Sequence, residues 1–344
     1  LSLAALAVDI GVLALLVRNP PRRLRGPFRR PILAAAIAGA ALSVLVSAAP
    51  LVLNVVARQR AREVGLVTQG WGGYAFDVVR SWAIGAVFAA IGAAVAVALI
   101  RRLPRAWWIP GSVAVVAFGA ISTYAGPIVL DPIFNRFTAL PAGQTRDDVL
   151  ELAQRAGVDV GEVYVMDASK RTTAANAYVN GLGHTKRVVL YDNLLNDFSR
   201  DEVRLVVAHE LGHVRYDDLS RGLLWLAIVT PFGMFAVSRM TQRLAPGDSG
   251  IGPAVLPALA LSVTAVVLVL TCVSNQLSRR VEARADSYAL ELTGEAEAFI
   301  SFQRRISLKN LSDQDPWVWS SFLLGTHPTT IDRIGVGVAE EDRR

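Results

Sequence analysis

Two of the four histidines in this chain fall in one short run, His209-Glu210-Leu211-Gly212-His213. On a helix, residues four apart share a face, so both imidazoles can reach one metal ion. Neutral imidazole is a good zinc ligand, and a catalytic zinc site keeps three protein ligands and one open position. Glu210 stands beside that opening and can take the proton of the attacking water, while the metal acidifies the water and polarises a scissile carbonyl. The chemistry this implies is hydrolysis of a peptide bond. A five-residue pattern can arise by chance, but the surroundings argue against coincidence. Val206, Val207, Ala208 and Val214 make the flanks apolar, as a buried helix needs. Ser199 and Glu202 form a capping box that opens a helix running through His213 to about Asp217.

A third ligand is required. Glu282 lies four residues before Asp286, so their carboxylates share a helix face, and one can bind the metal while the other orients a ligand imidazole. Spacing alone leaves open a solvated charged face, because Arg279, Arg280 and Arg284 surround the pair.

These residues sit in an apolar chain. Of 344 residues, 53% are hydrophobic and 19% charged. A spanning helix needs roughly 20 apolar residues. Six stretches meet or approach that length: Leu1 to Val17, Pro31 to Ala57, Ser81 to Ile100, Ala106 to Leu130, Gly222 to Ser238, and Ser249 to Ser278. The first contains Asp9 and begins the chain without a Met, followed by arginines rather than a small-residue cleavage site. It reads as a truncated or processed first span. The alternative, a large soluble protein with buried helices, fits poorly beside two segments of ordinary soluble composition. Cys272, the one cysteine, can form no intrachain disulfide and matches no metal pattern.

The net charge of +6 does not point to nucleic acid. Much of it lies in the loops Arg18 to Arg30 and Arg101 to Arg105, as the positive-inside bias produces. No basic patch interleaved with aromatics accompanies it.

Four regions follow. Residues 1–130 hold four apolar spans, 131–220 the first part of a catalytic domain, 221–278 a transmembrane hairpin, and 279–344 the second part. An even number of spans returns the chain to the same side, so the two polar parts can build one domain. In the first part, Thr145, Asp147 and Asp148 open a helix to about Ala156. Glu162 to Met166, Ala175 to Val179 and Arg187 to Tyr191 read as strands, with Gly181, Gly183 and His184 in a turn between the last two. The sixth span continues as one helix to Gly294, then come a helix from about Glu295 to Lys309 and one started by Pro328.

The run Ser278 to Asp286 resembles the third-ligand motif of the type I CAAX prenyl endopeptidases, integral-membrane gluzincins of the same broad family as the bacterial heat-shock membrane protease. Phe134-Asn135-Arg136-Phe137, Asn176-Ala177-Tyr178, Val188 to Asp192, Thr326-His327-Pro328 with Arg333, and Gly65 to Gln69 resemble further elements of that family, in family order. The resemblance implies Glu282 as third ligand. It implies Asn176, Ala177 and Tyr178 on a substrate-binding edge strand that pairs with an extended peptide. It also implies His327 and Arg333 as groups stabilising the oxyanion. From the residues alone, His327 could equally be a helix cap, Arg333 a surface charge and Tyr178 core. Where the family often carries another histidine after the metal motif, this chain has Asp218. Members of that family usually show seven spans against the six counted here, so the resemblance implies, as an expectation, a further span upstream of Leu1.

The expectation is therefore a mainly α, polytopic α-helical membrane protein with an α+β zincin-like catalytic domain and one Zn²⁺ per chain. It would act as an endopeptidase on membrane-associated or extended peptides, with the lipid bilayer as its other partner. Arginine-rich composition, with lysine only at 170, 186 and 309, suggests a bacterial plasma membrane and argues against prenylated substrates. The Arg loops would put the catalytic domain outside the cytoplasm, whereas the family precedent puts it inside. Two rivals stand: a broad quality-control protease of membrane proteins, and a non-catalytic scaffold or transporter retaining a zinc site. The second has no use for Glu210.

Overall fold

In the computed structural model the described residues are 2–26, 28–181, 186–245 and 252–343. Gly183 and His184 of the expected turn, and the Ser249 start of the sixth apolar run, lie outside them.

The chain opens with helices α1 (Ser2–Arg18), α2 (Pro31–Ala48), α3 (Leu51–Glu63), α4 (Trp71–Arg102), α5 (Trp108–Val129) and the single turn α6 (Asp131–Phe134). A mixed segment follows: β1 (Phe137–Ala139), α7 (Gln144–Arg155), β2 (Glu162–Met166), β3 (Ala177–Asn180), β4 (Arg187–Tyr191), α8 (Asp192–Asp197) and α9 (Arg200–Arg215). Then come the long helices α10 (Asp218–Leu244) and α11 (Leu256–Thr293), and finally α12 (Ala296–Lys309), α13 (Val318–Leu324) and α14 (Thr330–Glu341).

Among the described residues, five helices are long and apolar enough to cross a membrane, at Pro31–Ala48, Trp71–Arg102, Trp108–Phe134, Asp218–Leu244 and Pro253–Thr293. Their apolar side chains face outward, as at Val113 and Phe232, which is the arrangement lipid requires and water opposes. This is a polytopic α-helical membrane protein.

The structure departs from the sequence-based expectation in several places; the strand expected from Ala175 to Val179, for one, runs Ala177–Asn180. The first apolar run forms α1, an apolar helix of 17 described residues. The run Pro31 to Ala57 is not one helix: it breaks between α2 and α3 at Ala49 and Pro50, where proline offers no N–H to continue the ladder. The C-terminal helix begins at Thr330, because the Thr329 side chain and Asp332 form a capping box, two residues later than Pro328 suggested. The short elements β1 and α13 carry too little periodicity to have been expected.

The chain divides into two compact units, with boundaries inside α3, α5, α10 and α11. The first comprises 1–61, 70–119 and 225–270. Its core holds Ala35, Ala93, Val97, Ile100, Trp107, Val237 and Leu256. At Gly39 an added Cβ would stand 2.4 Å from that of Ala93, so α2 and α4 approach as closely as small residues permit.

The second unit comprises 62–69, 120–224 and 271–344. Its four-stranded sheet has the order β1-β2-β4-β3, with β2 and β4 parallel and the outer pairs antiparallel, so β3 is an edge. Val163, Val188 and Leu190 from the sheet pack with Leu152 of α7, Leu205 and Leu211 of α9 and Phe299 of α12. The segment Gly65 to Gln69 docks beside this sheet: Leu66 O accepts from Thr173 N at 3.0 Å, and Thr68 N donates to Arg171 O at 3.1 Å.

Candidate active site

The site begins with the start of α9. Ser199 Oγ accepts from Glu202 N at 3.3 Å, and Ser199 N donates in return to the Glu202 carboxylate at 2.8 Å. The buried Glu202 carboxylate also meets Ser301 and Arg305, so the same cap ties α9 to α12. The helix then presents His209 and His213 on one face, with Nε2 atoms 3.2 Å apart.

Gly212, between them, lets α11 approach. A Cβ there would lie 3.2 Å from Tyr288 Cδ1 and 3.4 Å from Ala285 Cα. The close approach delivers Glu282. Its Oε2 is 3.3 Å from His209 Nε2, and its Oε1 is 3.7 Å from His213 Nε2. One ligand atom from each of the three residues falls within 4.8 Å of the others.

Two imidazole nitrogens and a carboxylate form a donor set that suits zinc. Buried Glu282 Oε2 makes no well-formed hydrogen bond among the described residues and has only the Nε2 atoms of His209 and His327 beside it, at 3.3 and 3.4 Å, so a cation would satisfy it. The local potential is negative as well. Burial pushes the His209 imidazole down, but Asp286 and Glu282 outweigh it and raise its pKa to about 9. The residues fit a metal.

Each histidine is backed by a carboxylate on its other nitrogen, and each carboxylate by an arginine. Asp286 Oδ1 lies 2.9 Å from His209 Nδ1, and Arg333 grips Asp286 with Nε at 2.8 Å and Nη2 at 2.5 Å. Asp218 Oδ2 lies 3.0 Å from His213 Nδ1, and its other oxygen accepts from Arg284. Asp217, with φ of 53°, turns the chain between α9 and α10 and so aims Asp218 back at the histidine. The sequence marked Asp218 only as a departure from the family pattern and gave it no role at the site. Its signal was a carboxylate five residues after His213, just past a helix end.

Glu210 and His327 complete the pocket, a space of about 110 Å³ that also touches Asn176, Asp286, Gln303 and Arg333. Burial raises the Glu210 carboxyl above the usual carboxylate range, against the pull of His209 and His213. His327 Nε2 stands 3.4 Å from Glu282 Oε2, and its Nδ1 is 2.8 Å from Thr326 Oγ1. Burial lowers its pKa against the opposing pull of Glu282, with Arg333 adding to the fall. A larger cleft of about 800 Å³ shares Asn176, Gln303, His327 and Arg333 with this pocket.

The other expected residues are placed as follows. Asn176 immediately precedes β3 and lines both spaces. Ala177 opens the edge strand. Tyr178 is not brought to the metal pocket; its hydroxyl is 3.2 Å from Asp131 Oδ2, and burial followed by that carboxylate raises its pKa. Arg333 reaches the pocket but commits two of its donors to Asp286.

Residues 139–336 match the family model for peptidase family M48. An uncharacterized metalloprotease of Bacillus subtilis, YhfN, is 30% identical over 308 residues, covering 88% of this chain and 72% of that protein. A CAAX prenyl protease 1 homolog of rice is 31% identical over 60% of this chain, and CAAX prenyl protease 1 of Saccharomyces cerevisiae is 29% identical over the same share. The chain spans half the length of each of these two. The crystal structure of Ste24p from S. mikatae superposes with a TM-score of 0.74, at 23% identity, over 86% of this chain and 74% of that one, a likeness of fold.

Proposed function

The chain belongs to peptidase family M48 and is a membrane metalloendopeptidase; from this premise we propose that it uses one zinc ion, held by His209, His213 and Glu282, to cut extended peptides or membrane-associated proteins. The observation that carries the proposal is the convergence of those three side chains around a buried Glu282 oxygen, with Glu210 lining the same pocket.

Zinc held there would acidify a water and polarise the scissile carbonyl. The protein's own groups do the rest. Glu210 takes the proton of the attacking water and passes it to the departing amine, which needs one carboxylate within reach of both. Asp286 and Asp218 hold the two imidazoles in orientation from behind. A Thr326 hydroxyl donating to His327 Nδ1 leaves the His327 proton on Nε2, facing the pocket, where it can stabilise the oxyanion. Arg333 lines the same pocket and adds positive potential. The open edge of β3, where Ala177 turns its backbone outward and Asn176 lines the cleft beside it, pairs with the substrate backbone.

Residues 131–220 and 279–344 act as the catalytic domain, and 1–130 and 221–278 as its membrane-spanning parts. His213 precedes the span at Asp218 by five residues, and Glu282 lies within the helix of the last span, which supports cutting near the bilayer. Equal cleavage of large folded soluble proteins and short peptides would refute that. The bacterial relative and the arginine-rich composition support a bacterial plasma membrane and substrates without prenyl groups.

The test is zinc content beside cleavage of a fluorogenic peptide by detergent-purified protein, wild type against Glu210→Gln. About one zinc in both and activity only in the wild type supports the proposal. Absence of zinc from the wild type overturns the ligand assignment, and equal turnover by the variant overturns the role of Glu210.

A further inference from the structure

The sheet register says which backbone groups of the edge strand face outward. Tyr191 N donates to Asn176 O at 3.0 Å, and the antiparallel register continues as Tyr178 opposite Val189 and Asn180 opposite Arg187. In an antiparallel ladder, alternate residues turn their N–H and C=O toward the partner and the others turn them away. Asn176, Tyr178 and Asn180 face β4. Ala175, Ala177 and Val179 therefore present theirs to the opposite side, where no strand among the described residues pairs with them.

One of these outward positions is already taken. Asn310 Oδ1 accepts from Ala175 N at 3.0 Å, and Asn310 Nδ2 donates to Ala175 O at 3.2 Å. A carboxamide carries one carbonyl and N–H donors, the same groups as a peptide unit, so it can stand in for one residue of an added strand. Asn310 is also rigidly placed. It is the C-cap of α12, whose preceding residues are tied down by Lys309 to Asp197 at 2.8 Å and by Arg305 to Glu202.

Beyond the plug the surroundings change. The larger cleft is lined by Thr172, Ser307, Asn310, Ser320 and Ser321, and among the described residues the Ser307 hydroxyl is buried without a partner. Gln303, 3% exposed and one turn before Ser307, borders both this cleft and the metal pocket.

We propose that Asn310 determines specificity by ending the substrate strand. A peptide can pair with Ala177 and Val179, but at Ala175 it must leave the edge and turn into the larger cleft. The number of residues held extended on that side of the scissile bond is thereby limited. The inference rests on the peptidase reading above and on strand addition at β3.

The experiment uses the full-length zinc-loaded protein and a cleavable peptide in which successive backbone amides are replaced, one at a time, by esters. An ester removes the N–H donor and keeps the side chain. In the wild type, the ester that removes the donor to Ala177 O should lower kcat/KM by about two- to tenfold, the value of one net hydrogen bond. The ester two residues further along, which would face Ala175, should have no effect. In Asn310→Ala that second position should become sensitive by a similar factor. Asn310→Asp keeps the acceptor for Ala175 N and frees only the carbonyl, so it should gain the same sensitivity if the alanine variant fails to fold. Sensitivity at the first position with no gain in either variant overturns the role of Asn310 alone. A wild type that cleaves the peptide yet is insensitive to every ester overturns strand addition, and this inference with it.

Discussion

Asp218 places Oδ2 3.0 Å from His213 Nδ1 while Arg284 holds its other oxygen, mirroring the way Asp286 and Arg333 stand behind His209. The two histidines of one helix turn are thus buttressed from two different helices, α10 and α11. A carboxylate behind a ligand imidazole fixes its orientation and raises its basicity.

Asp218→Ala is therefore expected to weaken zinc binding by about 10- to 100-fold, the usual cost of losing such a partner. Competition with a chromophoric chelator measures it directly. Activity should return at high free zinc. Affinity equal to wild type would mean that the contact with His213 carries no weight.

Arg333 is engaged twice with an Asp286 carboxylate that is only 1% exposed. Removing one partner of a buried pair typically destabilises by about 3–5 kcal/mol, because the remaining charge stays buried. Arg333→Met should lower both the unfolding midpoint in detergent and the zinc affinity. Should kcat fall while both of those hold, Arg333 would act on the oxyanion alone.

Gly212 sets the spacing between α9 and α11. A leucine there must displace Tyr288 or Ala285, at a cost of about 1–3 kcal/mol typical of overpacking. Gly212→Leu should retain helix content by circular dichroism yet bind zinc weakly, since Glu282 would move away from the histidines. Full zinc content in that variant would show that the helices have slack.

Asp148 makes an acid-stability prediction away from the metal. Arg200 holds its carboxyl below the usual carboxylate range through two 2.6 Å bonds, with burial opposing and Arg204 assisting at 3.1 Å. A depressed folded-state pKa contributes stability above the unfolded pKa, near 3.9 for a free aspartate, and loses it as pH falls through the folded value. Asp148→Asn should thus melt below wild type at pH 7, and the gap should close below about pH 4. Measured on zinc-free protein, a gap that does not narrow as the pH falls below about 4 would trace the loss to packing.

Legibility in the sequence followed the range of each interaction. The α9 capping box, the glycine stop at Gly294 and strands β2 and β4 depend on neighbours a few residues apart, and they stand where the spacing put them. The break at Pro50 is equally local, but it was hidden inside a hydrophobic run. β1 spans three residues and exists because Phe137 to Ala139 pair with Met166 to Tyr164, a partnership no local pattern announces.

By itself the sequence determined the chemistry available: two imidazoles on one helix face, a carboxylate beside them, and apolar helices for a membrane. Helical periodicity and hydropathy are properties of contiguous residues, so they could be read directly. Only the tertiary structure decided which carboxylate backs which histidine, that Arg333 is spoken for by Asp286, and that Asn310 closes the edge at Ala175. These are contacts between residues tens to more than a hundred positions apart, or across a turn whose geometry composition does not encode. They exist because packing α9 against α11 and α12 against the sheet leaves buried polar groups that must find partners.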